Sequence, residues 1–480
     1  MGMTISPPPP VTMENSHSLR ALRSQIIGID QTVPLLDGSL RTYVNLDNAA
    51  STPTFRRVQA HVDEAMTWYA SVHRGTGFKS LRSTQFYESA RLQVGRFFGA
   101  DPATEVVIFG KNTTEAINKL ANRFPFQPGD VVLATIMEHH SNDLPWRARA
   151  QVLYTGILPD GSLDLADLED KLSSQKGRVK LMAVTGASNV SGYVNPIYDI
   201  AEMAHRYGAL IAVDCAQLSP HRAIRMGPAG SPRHLDFIAV SGHKLYAPFG
   251  TGALIGPRAF FEQGEPDYRG GGTIKLVSLD EVVWADAPDR DEAGTPNVIG
   301  AVALAAALEE LSEASMAAVA AHEAELTRYA LQRLAGLPEV HIYGSSDPER
   351  LDDRLGVISF LVDGIPHAKV AAVLGYEGGI GVRNGCFCAH PYLLRLLNAS
   401  DDLISSFKQR VLARDRSDLP GLVRMSFGCY NNGEDVDRLV EMLGRVIRGE
   451  YQGDYTENNR TGSFTPHGFD EMALDRCSQA

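Results

Sequence analysis

ALIAVDCAQ, residues 209–217, and DFIAVSGHKLYAPFGTG, residues 236–252, decide how this chain is read. Each is a short apolar run that ends on residues able to do chemistry. Such runs, apolar throughout and without polar alternation, predict strands buried on both faces. The first run delivers Asp214 just past its end. A carboxylate buried there needs a cationic partner, or its pKa rises and it neutralises. Taken alone, Asp214 reads first as a helix cap or half of an ion pair, the usual fate of a lone aspartate. The second run delivers Lys244, set among Ser241, Gly242 and His243 and followed by Gly250-Thr251-Gly252. Lysine is rarely buried without a job, and a desolvated amine has a lowered pKa and can form a Schiff base.

Outward from this pair the same pattern repeats. Val106–Phe109, Val131–Ala134 and Leu181–Thr185 are further strand-like runs, like Leu210–Val213 and Phe237–Val240. They alternate with helical patterns such as Thr114–Phe124 and Ile197–Tyr207. Alternation of strand and helix predicts an α/β fold with a mostly parallel sheet covered on both faces. Ligands gather at the carboxyl ends of such strands, where Asp214 and Lys244 fall. Ala301–Ala335 predicts one or two long helices, whose Leu/Ala stripe is core packing. Glu339–Tyr343 and Val357–Val362 then read as strands of a smaller α+β domain, closed by a helix over Asp435–Arg448. The expected organisation is a disordered extension over 1–20, a large domain over 21–310, a small domain over 311–451 and a polar, turn-rich tail over 452–480.

A Schiff-base lysine and an acid facing a pyridine nitrogen are what pyridoxal phosphate (PLP) requires, because a protonated ring is the better electron sink. FGKNTTEAINKLA supplies a phosphate seat: a strand, then Gly110, Thr113 and Thr114, then Glu115 opening a helix. By itself that motif is also an ordinary helix cap. MEHHSN, residues 137–142, offers His139 or His140 as a ring-stacking partner after another strand. Asn189 and Gln217 are placed to hydrogen-bond the phenolic oxygen.

Bulk properties narrow the class. With 480 residues the chain is too long for one compact core. Its 45 basic and 57 acidic residues give a net charge of −12, with no basic stripe for nucleic acid. No apolar run reaches membrane-spanning length, and the N-terminus lacks the pattern of a signal peptide. Five sparse cysteines, at 215, 386, 388, 429 and 477, argue against a disulfide scaffold and for a reducing cytoplasm. Cys386 and Cys388 have no partner pair at zinc-ligand spacing, so no metal is expected.

The ordered motifs LDNAAST (46–52), HRG (73–75), NTTEAIN (112–118), MEHHSN, SNVSGYVNP (188–196), VDCAQ (213–217), SGHKLYAP (241–248), AGTPN (293–297), RNGCFCAHP (383–391) and VRMSFGCYN (423–431) resemble the class V aminotransferase fold. Within it they resemble the cysteine desulfurases and selenocysteine lyases. The resemblance implies the PLP-dependent transferase fold of type I, like that of aspartate aminotransferase. It implies that Lys244 carries the cofactor, Asp214 faces the ring nitrogen and His139 stacks on the ring. Asn189 and Gln217 would hold the phenolate side, and Thr114, Ser241 and His243 the phosphate, beside Thr113. It further implies a homodimer with shared sites, in which Thr295 reaches the partner's phosphate. Arg424 would clamp the carboxylate of a small amino-acid substrate, Arg383 would stand beside it, and Cys388 would be the catalytic thiol. The activity implied is conversion of L-cysteine to L-alanine with a persulfide on Cys388, passed on to a sulfur-acceptor protein. Alternatives on the same fold are a C–S lyase releasing pyruvate and ammonia, a selenocysteine lyase and, further off, an aminotransferase or epimerase. Three features depart from the pattern: Cys386, Gly77 in place of a histidine, and an insertion over 394–420, read either as a surface helix or as a lid beside Cys388.

Overall fold

The computed structural model describes residues 22–468. The expected N-terminal extension and the end of the tail lie outside the described residues. Seven strands form the main sheet, in the order Glu105–Gly110, Gly252–Pro257, Phe237–Ser241, Leu210–Asp214, Val179–Thr185, Val131–Thr135, Gln151–Thr155. Gly252–Pro257 runs antiparallel to both of its neighbours, and the other adjacent pairs are parallel. Val131–Thr135 and Phe237–Ser241 are buried along their whole length, the physical counterpart of their unbroken apolar runs.

Two strands escape the sequence pattern. Gln151–Thr155 is a half-exposed edge. Gly252–Pro257 carries glycine and proline, which usually punctuate turns. Its first glycine is a packing requirement: a Cβ at Gly252 would lie 2.5 Å from Val240 O and 2.6 Å from Asn112 Cα. The strand can therefore press against the turn that opens the helix Thr113–Arg123, which Asn112 caps by accepting from Glu115 N.

Ala301–Ala335 resolves into two helices, Val298–Ala314 and Met316–Leu334, broken at Ser315 with φ +68°. The second helix joins two cores. Ala318 and Val319 pack with the main sheet, while Leu326, Leu331 and Leu334 pack with the small domain. That domain holds the sheet Val340–Tyr343, Val357–Val362, Leu422–Ser426, Arg383–Gly385 and the helix Gly433–Ile447. The N-terminal part of the chain also packs with it. Val44–Asn45 pairs with Ile380–Gly381, and Val44 and Leu46 sit in the second core. Residues 455–466, expected as tail, form a hairpin of Tyr455–Asn458 and Ser463–Pro466. Among the described residues no helix is long and apolar enough to cross a membrane.

Candidate active site

At the carboxyl ends of the parallel strands lies a cavity of about 620 Å³. Asp214, Ser241 and Thr185 each end a strand there, and Lys244 ends the short 3₁₀ turn that follows Ser241. All four line the cavity, as do Thr113, Thr114, His139, Asn189, Gln217, His243, Arg383, Cys388 and Arg424. The residues singled out from sequence therefore converge, with one exception. Thr295 is exposed and does not line this cavity in the single chain.

The floor holds two ionisable groups displaced from their usual states. Burial raises the pKa of Asp214, opposed by the Ala216 N–H that its Oδ1 accepts at 2.9 Å and by the charge of Lys244. Burial also lowers Lys244, to about 8, against the pull of Asp214. Among the described residues the Lys244 amine has no hydrogen-bond or ion-pair partner. His139, at the start of a 3₁₀ turn, is held by Ser141, whose N–H donates to Nδ1 at 3.1 Å. Burial and neighbouring Lys244 depress its pKa to about 3, so its ring is neutral across physiological pH.

The turn is stapled from below by Glu138, which sequence reasoning passed over. Its carboxyl is fully buried, accepting from Thr135 Oγ1 (2.7 Å), Asn142 Nδ2 (2.6 Å) and Thr185 N (2.9 Å), and burial raises its pKa to about 8. A charge-bearing residue between an apolar strand end and paired histidines was the available signal.

At the phosphate seat, Thr113 donates its N–H to Ser241 Oγ at 2.8 Å, and the two hydroxyls lie 2.8 Å apart. Thr114 Oγ1 pairs with Ser141 Oγ at 2.7 Å. Gln217 Nε2 donates to Ala49 O at 2.7 Å, which ties the LDNAAST segment across the cavity.

Arg424 is buried. It donates to Asp47 Oδ1 at 2.9 Å and to Asn189 O at 3.0 Å, while its buried Nε has no partner among the described residues. Arg383 sits opposite it in the strand register and reaches Asp47 Oδ2 at 3.3 Å. Asp47 is thus the hinge between the two arginines, a role that the motif alone did not reveal.

Cys388 is exposed to the cavity, on a tight turn in which Phe387 and Cys388 both have positive φ (51° and 55°). Such a conformation costs a non-glycine residue about 1 kcal/mol or more. Four contacts hold it. Ala389 N donates to Cys386 O (3.0 Å), His140 N to Cys388 O (2.8 Å) and Asn189 Nδ2 to Phe387 O (2.7 Å), and Arg424 lies 4.8 Å over the Phe387 ring. Asn189, expected beside the cofactor, here steadies the cysteine turn. His390 stacks on His140 with ring centroids 4.8 Å apart and a hydrogen bond of 3.0 Å between them. Cys386 also lines the cavity, but its thiol is engaged: it donates to Pro420 O at 3.0 Å, and burial raises its pKa to about 11.

These groups fit PLP. An unpartnered amine and a destabilised carboxyl face one cavity, beside a neutral imidazole, a helix N-terminus and strand packing that only glycine at 252 permits. The profile of the family described as Aminotransferase class-V matches residues 44–439, and the chain belongs to that family. Its curated relatives include a probable cysteine desulfurase of Halalkalibacterium halodurans, 35% identical over 87% of this chain and 97% of that protein. A cysteine desulfurase of Dickeya dadantii is 38% identical over 84% of this chain and 92% of its own length. Among solved structures, the cysteine desulfurase of Thermococcus onnurineus NA1 superposes with a TM-score of 0.74 at 32% identity, covering 85% of this chain and 95% of that one.

Proposed function

We propose that this chain is a PLP-dependent cysteine desulfurase: L-cysteine becomes L-alanine, and its sulfur is left on Cys388 as a persulfide. The observation that carries the reading is an exposed thiol sharing one cavity with Lys244, Asp214 and a buried arginine that has an unpaired donor. Lys244 would hold the cofactor through Nζ, Asp214 would pair with its ring nitrogen, and His139 would lie against the ring. When bound, the cofactor supplies an electron sink for charge developing at the substrate Cα. Arg424 receives the substrate carboxylate, its fork already oriented by Asp47 and Asn189. Lys244, with an amine near neutrality at about 8, moves the proton at Cα. Cys388 as thiolate attacks the substrate sulfur, breaking the C–S bond so that alanine leaves. Cys386, a half-buried thiol that donates to Pro420 O, is held in a different role from Cys388. Incubating the purified protein with L-cysteine and assaying alanine and sulfide together tests the reading. Sulfide with pyruvate in place of alanine rejects it.

Arg424→Lys keeps the charge but loses the fork that reaches Asp47, Asn189 and substrate at once. The KM for L-cysteine is expected to rise about 10- to 100-fold with a smaller change in kcat, since a ground-state contact is lost. Steady-state alanine formation measures both; an unchanged KM removes Arg424 from substrate binding.

The site is completed by a second copy. Thr295 is exposed, and Gly294 N–H donates to Gly271 O at 2.7 Å, which ties this segment to the hairpin Ile274–Val277/Val282–Trp284. That hairpin exposes Leu276, Val277, Leu279, Val282 and Val283, an apolar patch that suits an interface. Mixing inactive Lys244→Ala and Thr295→Ala subunits is expected to restore partial activity through one intact hybrid site. No recovery after proven subunit exchange contradicts shared sites.

A further inference from the structure

The cavity extends into a chamber whose lining residues have none of the cofactor or substrate roles given above. Its wall is formed by the insertion and the C-terminal hairpin, through Phe407, Arg416, Leu419, Glu457 and Phe464. The stretch 415–420 is pinned from both sides. Toward the cysteine turn, Leu419 O bonds His367 Nε2 and Pro420 O accepts the Cys386 thiol, each at 3.0 Å. Toward the hairpin, Arg416 N donates to Asn459 O at 2.6 Å and Asp418 N to Glu457 Oε1 at 3.0 Å. Gly462, at φ +70°, packs so closely that a Cβ there would lie 2.5 Å from Arg416 O. Phe407 meanwhile stacks on His390, ring centroids 5.9 Å apart.

The chamber has two aromatic faces and one free cation. Among the described residues the Arg416 guanidinium makes no hydrogen bond or ion pair. The carboxylates on the same wall are engaged: Asp418 lies 3.5 Å from Arg410, and Glu457 accepts the Asp418 N–H. This wall shares the cavity with Cys388 and leaves room there for a small molecule.

We propose that this chamber is an acceptor subsite for a low-molecular-weight thiol that carries a carboxylate, with Arg416 as its anion contact. The proposal rests on the desulfurase reading. The acceptor thiolate attacks the outer sulfur of Cys388–S–SH. A new S–S bond forms as the bond to Cys388 breaks, and the proton given up by the acceptor thiol returns to Cys388. The products are R–S–SH and Cys388–SH, with no external oxidant or reductant.

Alanine is measured with L-cysteine as substrate and three acceptors, 3-mercaptopropionate, 2-mercaptoethanol and cysteamine, compared at equal thiolate concentration. The first equivalent of alanine per site needs no acceptor; later turnovers do. The anionic thiol is expected to half-saturate at about three- to fivefold lower concentration than the neutral one, the size of an exposed ion pair. Arg416→Ala should erase that preference and Arg416→Glu should turn it toward cysteamine. Arg414→Ala, exposed but outside the chamber, should retain it. Equal half-saturation by the three thiols, or a preference unchanged in both Arg416 variants, overturns the subsite. So does a first equivalent of alanine that no small thiol can follow with turnover, which points to a protein acceptor. Absence of even the first equivalent overturns the desulfurase reading and the subsite together.

Discussion

Replacing Cys388 with alanine is expected to eliminate alanine formation from L-cysteine, a loss of at least about 10³-fold, because the other thiol of the cavity, on Cys386, is tied to Pro420 O. Cofactor absorbance should persist, since Lys244, Asp214 and His139 are untouched by the change. Cys386→Ala should do far less. Burial raises that thiol to about 11 and it donates to Pro420 O, so it is protonated and engaged at working pH. A C–S lyase behaves otherwise, since it expels sulfur from the β-carbon without a protein thiol. It would give pyruvate and ammonia whether or not Cys388 is present. Mass spectrometry of the Cys388 peptide after brief exposure to L-cysteine separates the two. One added sulfur atom supports the desulfurase, whereas pyruvate with an unmodified peptide moves the assignment to the lyase.

Lys244→Ala is expected to abolish turnover and, with it, any attachment of PLP that borohydride makes permanent. Trapping on another lysine would refute the assignment. Asp214→Ala should lower the rate more than it lowers retention of the cofactor, because the electron sink weakens while the phosphate contacts remain. The state of Lys244 sets a pH dependence in the apoprotein. Burial lowers its pKa to about 8, so the free amine becomes more abundant as pH rises through that value. Covalent uptake of PLP should accelerate about tenfold per pH unit below 8 and level off above it. In the unfolded chain the same amine titrates near 10.4. Between about 8 and 10.4 the folded apoprotein therefore holds fewer protons than the unfolded chain, and this group makes stability rise with pH across that window. A rise that continues tenfold per pH unit through pH 9, with no levelling near 8, would mean that the amine is not desolvated.

Much of the site was legible because its chemistry sits at the ends of local patterns. Unbroken apolar runs announce buried parallel strands, and parallel strands bring their carboxyl ends to one edge. Asp214 and Lys244 could thus be paired before any coordinates, with the Thr113 turn and His139 beside them. The resemblance added Cys388 and Arg424, which no periodicity marks. Only the tertiary structure decided the rest. Asp47 meets Arg424 across 377 positions of sequence, because the strand Val44–Asn45 packs in the same second core as Val423 and Met425. The insertion and the C-terminal hairpin meet beside the cysteine turn through one backbone bond, Arg416 N to Asn459 O, and through the side chains of His367, Cys386 and Glu457. The strand Gly252–Pro257 is held by close packing against Val240 and Asn112, although its glycines and proline read as a turn. Sequence patterns report the period of a segment and the groups at its ends. Which distant segments meet is set by how the two cores pack and close the loops between them, and no local pattern carries that.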